Sequence, residues 1–500
     1  MILRRKRFLS GQATNPVKIL MEKNNFYITT TLPYVNSPLH MGHALEFVRA
    51  DVIARYKKLL GYEVFFNTGT DEHGIKNYRK AEEKKISVQE FVDQGFAIFK
   101  EQVKMFGVSE DIHFIRTTDK NHEKAAQEFW RRVFKNGYIY KKNYEAKYCV
   151  GCESEKTDSE LNSAGECELH PGRPLELISE ENYFFKFSAF QKRLLDFYGA
   201  NPDFIVPGFR FNEIKMFVKN GLQDFSISRL KEKMPWGIEV PGDERHVMYV
   251  WFDALVNYIS TLGWPDNAEQ FEKYWANGNP TQYCGKDNTR FQGIMWQAML
   301  MAAGLPNSHQ IVVDGFVTAE GGLRMSKTIG NVLDPRDIVK EYGTDSLRYF
   351  LLREISSFED SPFSSDRFKE AYNSGLANGL GNLASRILTL SEKYLEKCPK
   401  IPATPMPQEF LDHLENFDIQ KAANYVWQKI QGIDKKIQET EPFKVIKYDD
   451  KKGREMIIEL VLELYTIARM LGPLMPETSD NLERLIEENE KPEHSLFLRK

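Results

Sequence analysis

Phe26-Tyr27-Ile28-Thr29-Thr30-Thr31-Leu32-Pro33-Tyr34, followed closely by His40-Met41-Gly42-His43, is the stretch on which the fold turns. Its first six residues are aromatic or β-branched and predict a strand over 26–31. Beyond the histidines, Leu45, Val48, Val52, Tyr56 and Leu59 recur at helical spacing, and Gly61 ends the pattern. His40 and His43 therefore fall at a strand-to-helix junction, where the first N–H groups of a helix favour phosphate. Imidazole donors at that point can hold a triphosphate and the charge that develops on it. Gly42 lets a nucleotide lie close against the backbone.

Working outward, Glu63-Val64-Phe65-Phe66-Asn67 predicts a second strand, and the polar, glycine-rich turn Thr68-Gly69-Thr70-Asp71-Glu72-His73-Gly74 follows it. Strand and helix alternate from about Asn25 to Gly137, as in half of a doubly wound sheet. The alternation breaks off into a cysteine-bearing segment and resumes near Tyr249-Val250-Trp251-Phe252-Asp253-Ala254. Gln310-Ile311-Val312-Val313 predicts a last buried strand. One α/β domain, a Rossmann-type doubly wound parallel sheet, is thus expected to be split by an insertion. Past about Ser365 strand signals fade. Met456–Leu471 and Asn378–Leu390 carry helical stripes, the latter with Asn382 and Arg386 one turn apart. Pro399 to Pro407 predicts a linker between two parts of an all-helical C-terminal region.

Cys149-x2-Cys152, fourteen intervening residues, then Cys167-x2-His170 match a tetrahedral zinc site. Ser163-Ala164-Gly165 offers the turn that brings the pairs together. All four ligands are close, leaving none for a substrate, so the metal is expected to be structural. Cys284 and Cys398 are read as isolated small hydrophobes. Three clustered cysteines of five fit metal binding in a reducing compartment, not a secreted disulfide scaffold. A net charge of −4 excludes a generic nucleic-acid coat and requires any nucleic-acid surface to be local. No apolar run is long enough to span a bilayer. Arg4, Arg5, Lys6 and Arg7 open a basic segment without acids before Glu22. It is read as a disordered tail, or as an over-extended start with Met21 as the true first residue, ahead of an organellar targeting peptide.

Far downstream stands Arg324-Met325-Ser326-Lys327-Thr328, a basic loop preceded by Glu320-Gly321-Gly322, a turn that lets it close over a nucleotide. His40-Met41-Gly42-His43 and this loop, in this order and spacing, resemble the HIGH and KMSKS signatures of class I aminoacyl-tRNA synthetases. Within that class, Leu32-Pro33-Tyr34-Val35-Asn36, Gly69–Gly74, Tyr249–Ala254, Gly285-Lys286-Asp287 and the knuckle are similar to the methionyl-tRNA synthetase family. The resemblance covers the chain after its N-terminal tail.

The resemblance implies an enzyme that adenylates methionine with ATP and Mg²⁺, then esterifies the 3′-terminal adenosine of tRNA(Met). His40, Gly42, His43, Arg324 and Lys327 would contact ATP, with His40, His43 and Lys327 in catalytic roles. Leu32, Tyr34, Trp251, Ala254 and Tyr258 would line the methionine pocket, where aromatic rings suit a polarizable thioether. Asp71 would bind the α-ammonium. Asn288 and Gln292 stand where the family commonly has an apolar residue and a histidine near the sulfur, and Gln292 can still hydrogen-bond. Asn382 and Arg386 match anticodon-contacting positions. Pro442-Phe443 stands where Pro-Trp is usual, and phenylalanine can stack on a base or simply pack a helix start.

The expected organisation is a basic tail at 1–24, sheet halves at 25–137 and 245–318, and a connective insertion with the knuckle at 138–244. A linker with the KMSKS loop follows at 319–370, then a helical anticodon-binding domain at 371–500. No dimerisation module follows, so a monomer is expected, in the cytoplasm, or in the mitochondrion if the basic segment is a targeting peptide. A synthetase for valine, isoleucine or leucine would need room for an editing domain, since one methylene gives only about 1–3 kcal/mol of discrimination. A cysteine-specific enzyme would spend its zinc on substrate. A non-enzymatic tRNA-binding protein would not need His40, His43, Asp71 and Lys327 together. A small-cofactor nucleotidyltransferase would leave the helical region unexplained.

Overall fold

The computed structural model describes residues 25–152, 154–156, 160–322 and 334–500. The basic tail at 1–24 and the loop residues Arg324 and Lys327 lie outside the described residues. Six strands make one sheet: β1 (Asn25–Thr29), β2 (Glu63–Thr70), β3 (His113–Arg116), β4 (Ile205–Val206), β5 (Asn279–Gly285) and β6 (Gln310–Asp314). Their order is β3-β2-β1-β5-β6-β4, and every pairing is parallel. Successive side chains of a strand face opposite ways, and here both faces are covered. Phe26, Ile28 and Phe66 enter one apolar core while Tyr27 and Phe65 enter the other. The strands accordingly read as continuous apolar runs instead of alternating ones.

From β1 the chain winds outward through β2 and β3, then returns to build β5 and β6 on the other side. The order reverses between β1 and β5, and a crevice opens at such a switch point beyond the carboxyl ends of the strands. The doubly wound parallel sheet expected from the sequence is therefore present. The first strand ends at Thr29; Thr30 N–H still donates to Asn67 O at 3.2 Å, and the Thr30 and Thr31 hydroxyls reach Thr68 and Glu46. β2 runs on to Thr70, three residues past the expected end.

Helix α1 (Met41–Leu59) joins β1 to β2. It is buried almost all round: Leu45, Val48, Val52 and Tyr56 face the core, and so do the charged Glu46, Arg49, Asp51 and Lys57. Leu59, expected on the same apolar face, is instead 56% exposed. The helix has no single buried stripe, because it lies between the sheet and the C-terminal helices, and only its last turn emerges.

An antiparallel sheet fills much of the interval 138–244, in the order Ser154–Lys156, Ile139–Cys149, Glu176–Phe185, Phe225–Ser226. That interval is not wholly separate from the main sheet, since β4 lies within it and pairs with β6. After β6 come the helices Asn382–Tyr394, Gln408–Glu415, Ile419–Thr440, Asp450–Leu471 and Pro476–Glu488. The helix expected over 378–390 starts at Asn382, after a π-helical stretch Tyr372–Gly381. A Cβ on Gly375 would lie 1.9 Å from Tyr349 Oη, so that stretch needs glycine to pack. One continuous apolar core runs from Phe26 and Ile28 through α1 to Ile430 and Leu460.

Candidate functional site

A cavity of about 550 Å³ opens at the carboxyl ends of β1, β2, β5 and β6. His40, Gly42 and His43 form its floor at the start of α1. His40 caps the helix with an extended backbone, and its Nδ1 accepts from the N–H of Gly42 at 3.1 Å and of His43 at 3.4 Å. His43 Nδ1 in turn accepts from the His40 N–H at 3.2 Å. Each Nδ1 is thus an acceptor, so in the neutral rings the proton sits on Nε2. Burial, then the neighbouring His40, hold the His43 imidazole well below its ordinary value. The rings stack with centroids 3.8 Å apart. Two ring N–H donors and a helix N-terminus therefore meet at one place, a combination suited to phosphate oxygens. Gly42 leaves that surface open, for a Cβ there would come within 3.1 Å of the His40 ring.

Leu32 and Tyr34 follow β1, and Asp71 follows β2; all three line the cavity. The Asp71 N–H donates to Pro33 O at 3.0 Å, which fixes the two loops to one another. The carboxylate is almost fully buried, at 3% exposure. Trp251, Ala254 and Tyr258 come from the short helices Val250–Ala254 and Asn257–Ser260 and form the facing wall. Trp251 stacks on Phe291 with centroids 3.8 Å apart and planes at 7°. Tyr27 Oη anchors the backbone carbonyl of Tyr258 at 2.9 Å.

Asn288 and Gln292 complete this wall. Gln292 is fully buried and its amide orientation is set at a distance. Gln297 Nε2 donates to Ser308 Oγ at 3.0 Å, Ser308 Oγ donates to Gln282 Oε1, and Gln282 Nε2 donates to Gln292 Oε1 at 3.5 Å. With its oxygen engaged, Gln292 brings a side-chain amide to the cavity wall, a group able to donate to a weak acceptor such as a thioether.

Three contributors, Phe291, Asp314 and Glu46, were not singled out in the sequence, and Asp287 stood there only within the motif Gly285-Lys286-Asp287. Phe291 doubles the Trp251 wall, and Asp287 and Asp314 stand at the ends of β5 and β6. Glu46, one turn past His43, accepts from Thr31 N and Thr31 Oγ1, both at 2.6 Å. Burial pushes its carboxyl up to about 8, against the Thr31 hydrogen bonds and helped by Asp314 and Asp287. The pattern that could have exposed it is the acid three residues past the second histidine. Of the loop bearing Arg324 and Lys327, the described residues just before it, Val317, Thr318 and Gly322, line the cavity.

Cys149, Cys152, Cys167 and His170 converge so that their ligand atoms all lie within 4.8 Å of one another. Cys152 Sγ is 3.5 Å from Cys167 Sγ and 3.3 Å from His170 Nδ1, and Cys149 Sγ is 3.7 Å from that nitrogen. A tetrahedron with ~2.0–2.3 Å metal–ligand bonds has edges of roughly 3.3–3.8 Å, so the cluster fits a four-coordinate cation. Asn162 Oδ1 accepts from Ala164 N and Glu166 N, both at 3.0 Å, and forms the expected turn. A Cβ on Gly151 would lie 2.5 Å from the His170 ring, so only glycine closes the knuckle. Leu169, between two of the ligands, reaches the cavity rim.

In the helical region Asn382 is exposed, and Arg386 forms an ion pair with Asp434 of the neighbouring long helix. Pro442 is buried at the first turn of Pro442–Val445, and Phe443 is 37% exposed. These residues lie apart from the cavity, none of them in its lining.

The sequence profile of the family described as "tRNA synthetases class I (M)" matches residues 26–171 and 164–388. A methionine–tRNA ligase of Caldanaerobacter subterraneus subsp. tengcongensis is 42% identical over 472 residues, 91% of this chain and 73% of that protein. One of Brucella suis is 38% identical, with 92% of each chain covered. The structure of Mycobacterium tuberculosis methionyl-tRNA synthetase in complex with methionyl-adenylate superposes with a TM-score of 0.88 at 33% identity, covering 95% of this chain and all of that one.

Proposed function

The chain belongs to the class I tRNA synthetases of the methionine type, and on that premise we propose that it activates L-methionine with ATP and transfers it to the 3′-terminal adenosine of tRNA(Met). The observation that carries this reading is the convergence of two unlike surfaces in one cavity. His40, Gly42 and His43 offer N–H donors at a helix N-terminus, while Tyr34, Trp251, Ala254, Tyr258 and Gln292 enclose an apolar wall with one amide. Asp71, buried between them, receives the α-ammonium and so aims the carboxylate.

In the first step a methionine carboxylate oxygen attacks the α-phosphorus, the bond to the bridging oxygen breaks, and pyrophosphate leaves. The histidine N–H donors and Lys327, with Arg324, stabilise the charge that develops on the phosphate oxygens. Mg²⁺ bound to ATP would balance the triphosphate charge. In the second step the 2′-hydroxyl of the terminal adenosine attacks the carbonyl carbon, its proton departs, and AMP leaves.

The Cys149, Cys152, Cys167 and His170 cluster is assigned to structural Zn²⁺, which soft sulfur ligands select. Residues 25–137 and 245–318 are assigned to the catalytic fold, 138–244 to the connective insertion, 319–370 to the linker, and 371–500 to anticodon binding. There Asn382, Arg386, Pro442 and Phe443 would meet the anticodon. Among the described residues no helix is long and apolar enough to cross a membrane. Clustered thiols fit a reducing compartment, which supports assigning the enzyme to the cytoplasm; a monomer is proposed beside it.

The test is amino-acid-dependent exchange of pyrophosphate into ATP. Exchange with methionine alone supports the reading. Exchange with another amino acid would keep the class and remove methionine, and none with or without tRNA would remove the enzyme.

A further inference from the structure

Directly behind the two walls assigned to methionine lies a buried histidine–carboxyl contact that no part of that reaction requires. His73 Nδ1 is 3.1 Å from Asp253 Oδ2, with side chains 5% and 0% exposed. Neither residue lines the cavity. His73 is two positions after Asp71 on the loop that ends β2, and Asp253 lies between Trp251 and Ala254. The pair therefore ties the loop that carries the ammonium-binding acid to the helix that carries the aromatic wall.

The surroundings hold the loop half firmly. Asn77 Nδ2 donates to the carbonyls of Asp71 and His73, both at 3.3 Å, and Trp236 Nε1 donates to Glu72 O at 2.8 Å. On the helix side, both Asp253 oxygens are buried, as is His73 Nδ1, without a well-aligned hydrogen bond among the described residues, so the 3.1 Å approach across the gap is the polar contact the structure gives them. A buried pair of this kind contributes little net stability relative to apolar residues of equal size, and its attested use is to fix one register among several. Packing alone would hold two apolar surfaces together over a range of separations; one directional polar contact selects a single separation.

We propose that His73 and Asp253 are positioning residues that set the distance between Asp71 and Trp251, and so the fit of the amino-acid substrate, while leaving the nucleotide end of the cavity untouched. The inference rests on the assignment of that cavity to methionine. It makes the pair a determinant of methionine affinity without contact to methionine.

The experiment measures KM for methionine and for ATP separately, by pyrophosphate exchange, in Asp253→Asn and His73→Gln, with methionine binding followed in parallel by isothermal titration. Asp253→Asn keeps the shape and removes the charge; His73→Gln keeps a donor. The expected result is a rise in methionine KM and Kd of about tenfold in Asp253→Asn and less in His73→Gln, with ATP KM changed by less than about twofold. A purely structural role would lower the active fraction, and hence kcat, and leave both KM values in place. That outcome, or an equal rise for ATP, overturns the proposal. If one variant fails to fold, the other decides by the same split. Wild-type protein that neither exchanges with nor binds methionine overturns the functional reading and this proposal together. Wild-type exchange with both variants unaltered overturns the positioning role alone.

Discussion

Arg49 is the residue whose removal most directly tests how the catalytic helix is fastened. It is fully buried in α1, and its guanidinium donates to Asp314 Oδ1 at 2.8 Å. It also donates to the carbonyls of Ser357, Leu351, Ile355 and Ser356, at 3.0, 3.3, 2.9 and 2.8 Å. Arg49→Met keeps most of the side-chain length and deletes every one of these donors. Breaking a buried pair by removing one partner costs about 3–5 kcal/mol, because a carboxylate stays behind unpaired. At about 2–4 °C per kcal/mol for units of 150–250 residues, the midpoint of thermal unfolding should fall by roughly 6–20 °C.

The same structure gives that loss a pH dependence with a definite sign. Burial already raises Asp314 to about 6, although Arg49 opposes the rise. A carboxyl raised in the folded state contributes stability below its unfolded value of 3.8, and that contribution is lost as pH rises through about 6. Without Arg49 the folded value moves higher still, and the variant can neutralise Asp314 by taking a proton. The deficit relative to wild type should therefore be smaller at pH 5 than at pH 8. Scanning calorimetry at both pH values decides. A deficit below about 1 kcal/mol, or one equal at the two pH values, would refute the reasoning that an orphaned charge carries the cost.

Glu46, raised to about 8 first by burial, should cost stability as pH rises from its ordinary range through about 8. Between pH 6 and 8 that is about 2–3 kcal/mol at ~1.4 kcal/mol per unit, and Glu46→Gln should flatten the melting temperature over that interval. Purified protein should hold one zinc per chain by elemental analysis. Cys152→Ser should weaken it more than about tenfold, and chelation should open 149–170 to proteolysis. Phe443→Ala should raise the KM for tRNA by about 5–150-fold, the equivalent of ~1–3 kcal/mol for one stacked base, with pyrophosphate exchange unchanged. An unchanged KM would make Phe443 a packing residue.

What could be read in advance divides along a physical line. Signals that are local in sequence were legible: the aromatic and β-branched run 26–29 before His40, the apolar run of β6, and the Cys149 to His170 spacing each need only neighbours along the chain. Signals that depend on a distant partner were not. Glu46, Arg49 and Asp51 look like the solvated face of an amphipathic helix. They are buried because Thr31, Asp314 and Arg348 meet them there. Ile205–Val206 is too short to show a period, yet it closes the sheet edge against β6. Gln292 shows its chemical type but not its orientation, which Gln282 and Ser308 impose from elsewhere. Phe291 and Leu169 reach the cavity through packing and knuckle closure, and no spacing rule announces either.

These hidden partners explain why a single helix can serve both ends of the molecule. α1 is about 28 Å long at 1.5 Å per residue, with the two histidines at its start. Nearly halfway along, Arg49 holds the segment 351–357. Next, Asp51 pairs with Arg348 at 2.8 Å, and Arg348 also donates to the carbonyls of Leu474 and Pro473. At the far end Lys57 and Tyr56 bind Glu415 of the helical region, at 2.8 Å each. Apolar packing alone would let α1 slide, since dispersion contacts are non-directional. Spaced charges on one rigid helix, each with its own partner, fix its axial position. Because His40 and His43 stand on that helix, the same contacts determine where the phosphate-binding donors meet the rest of the cavity.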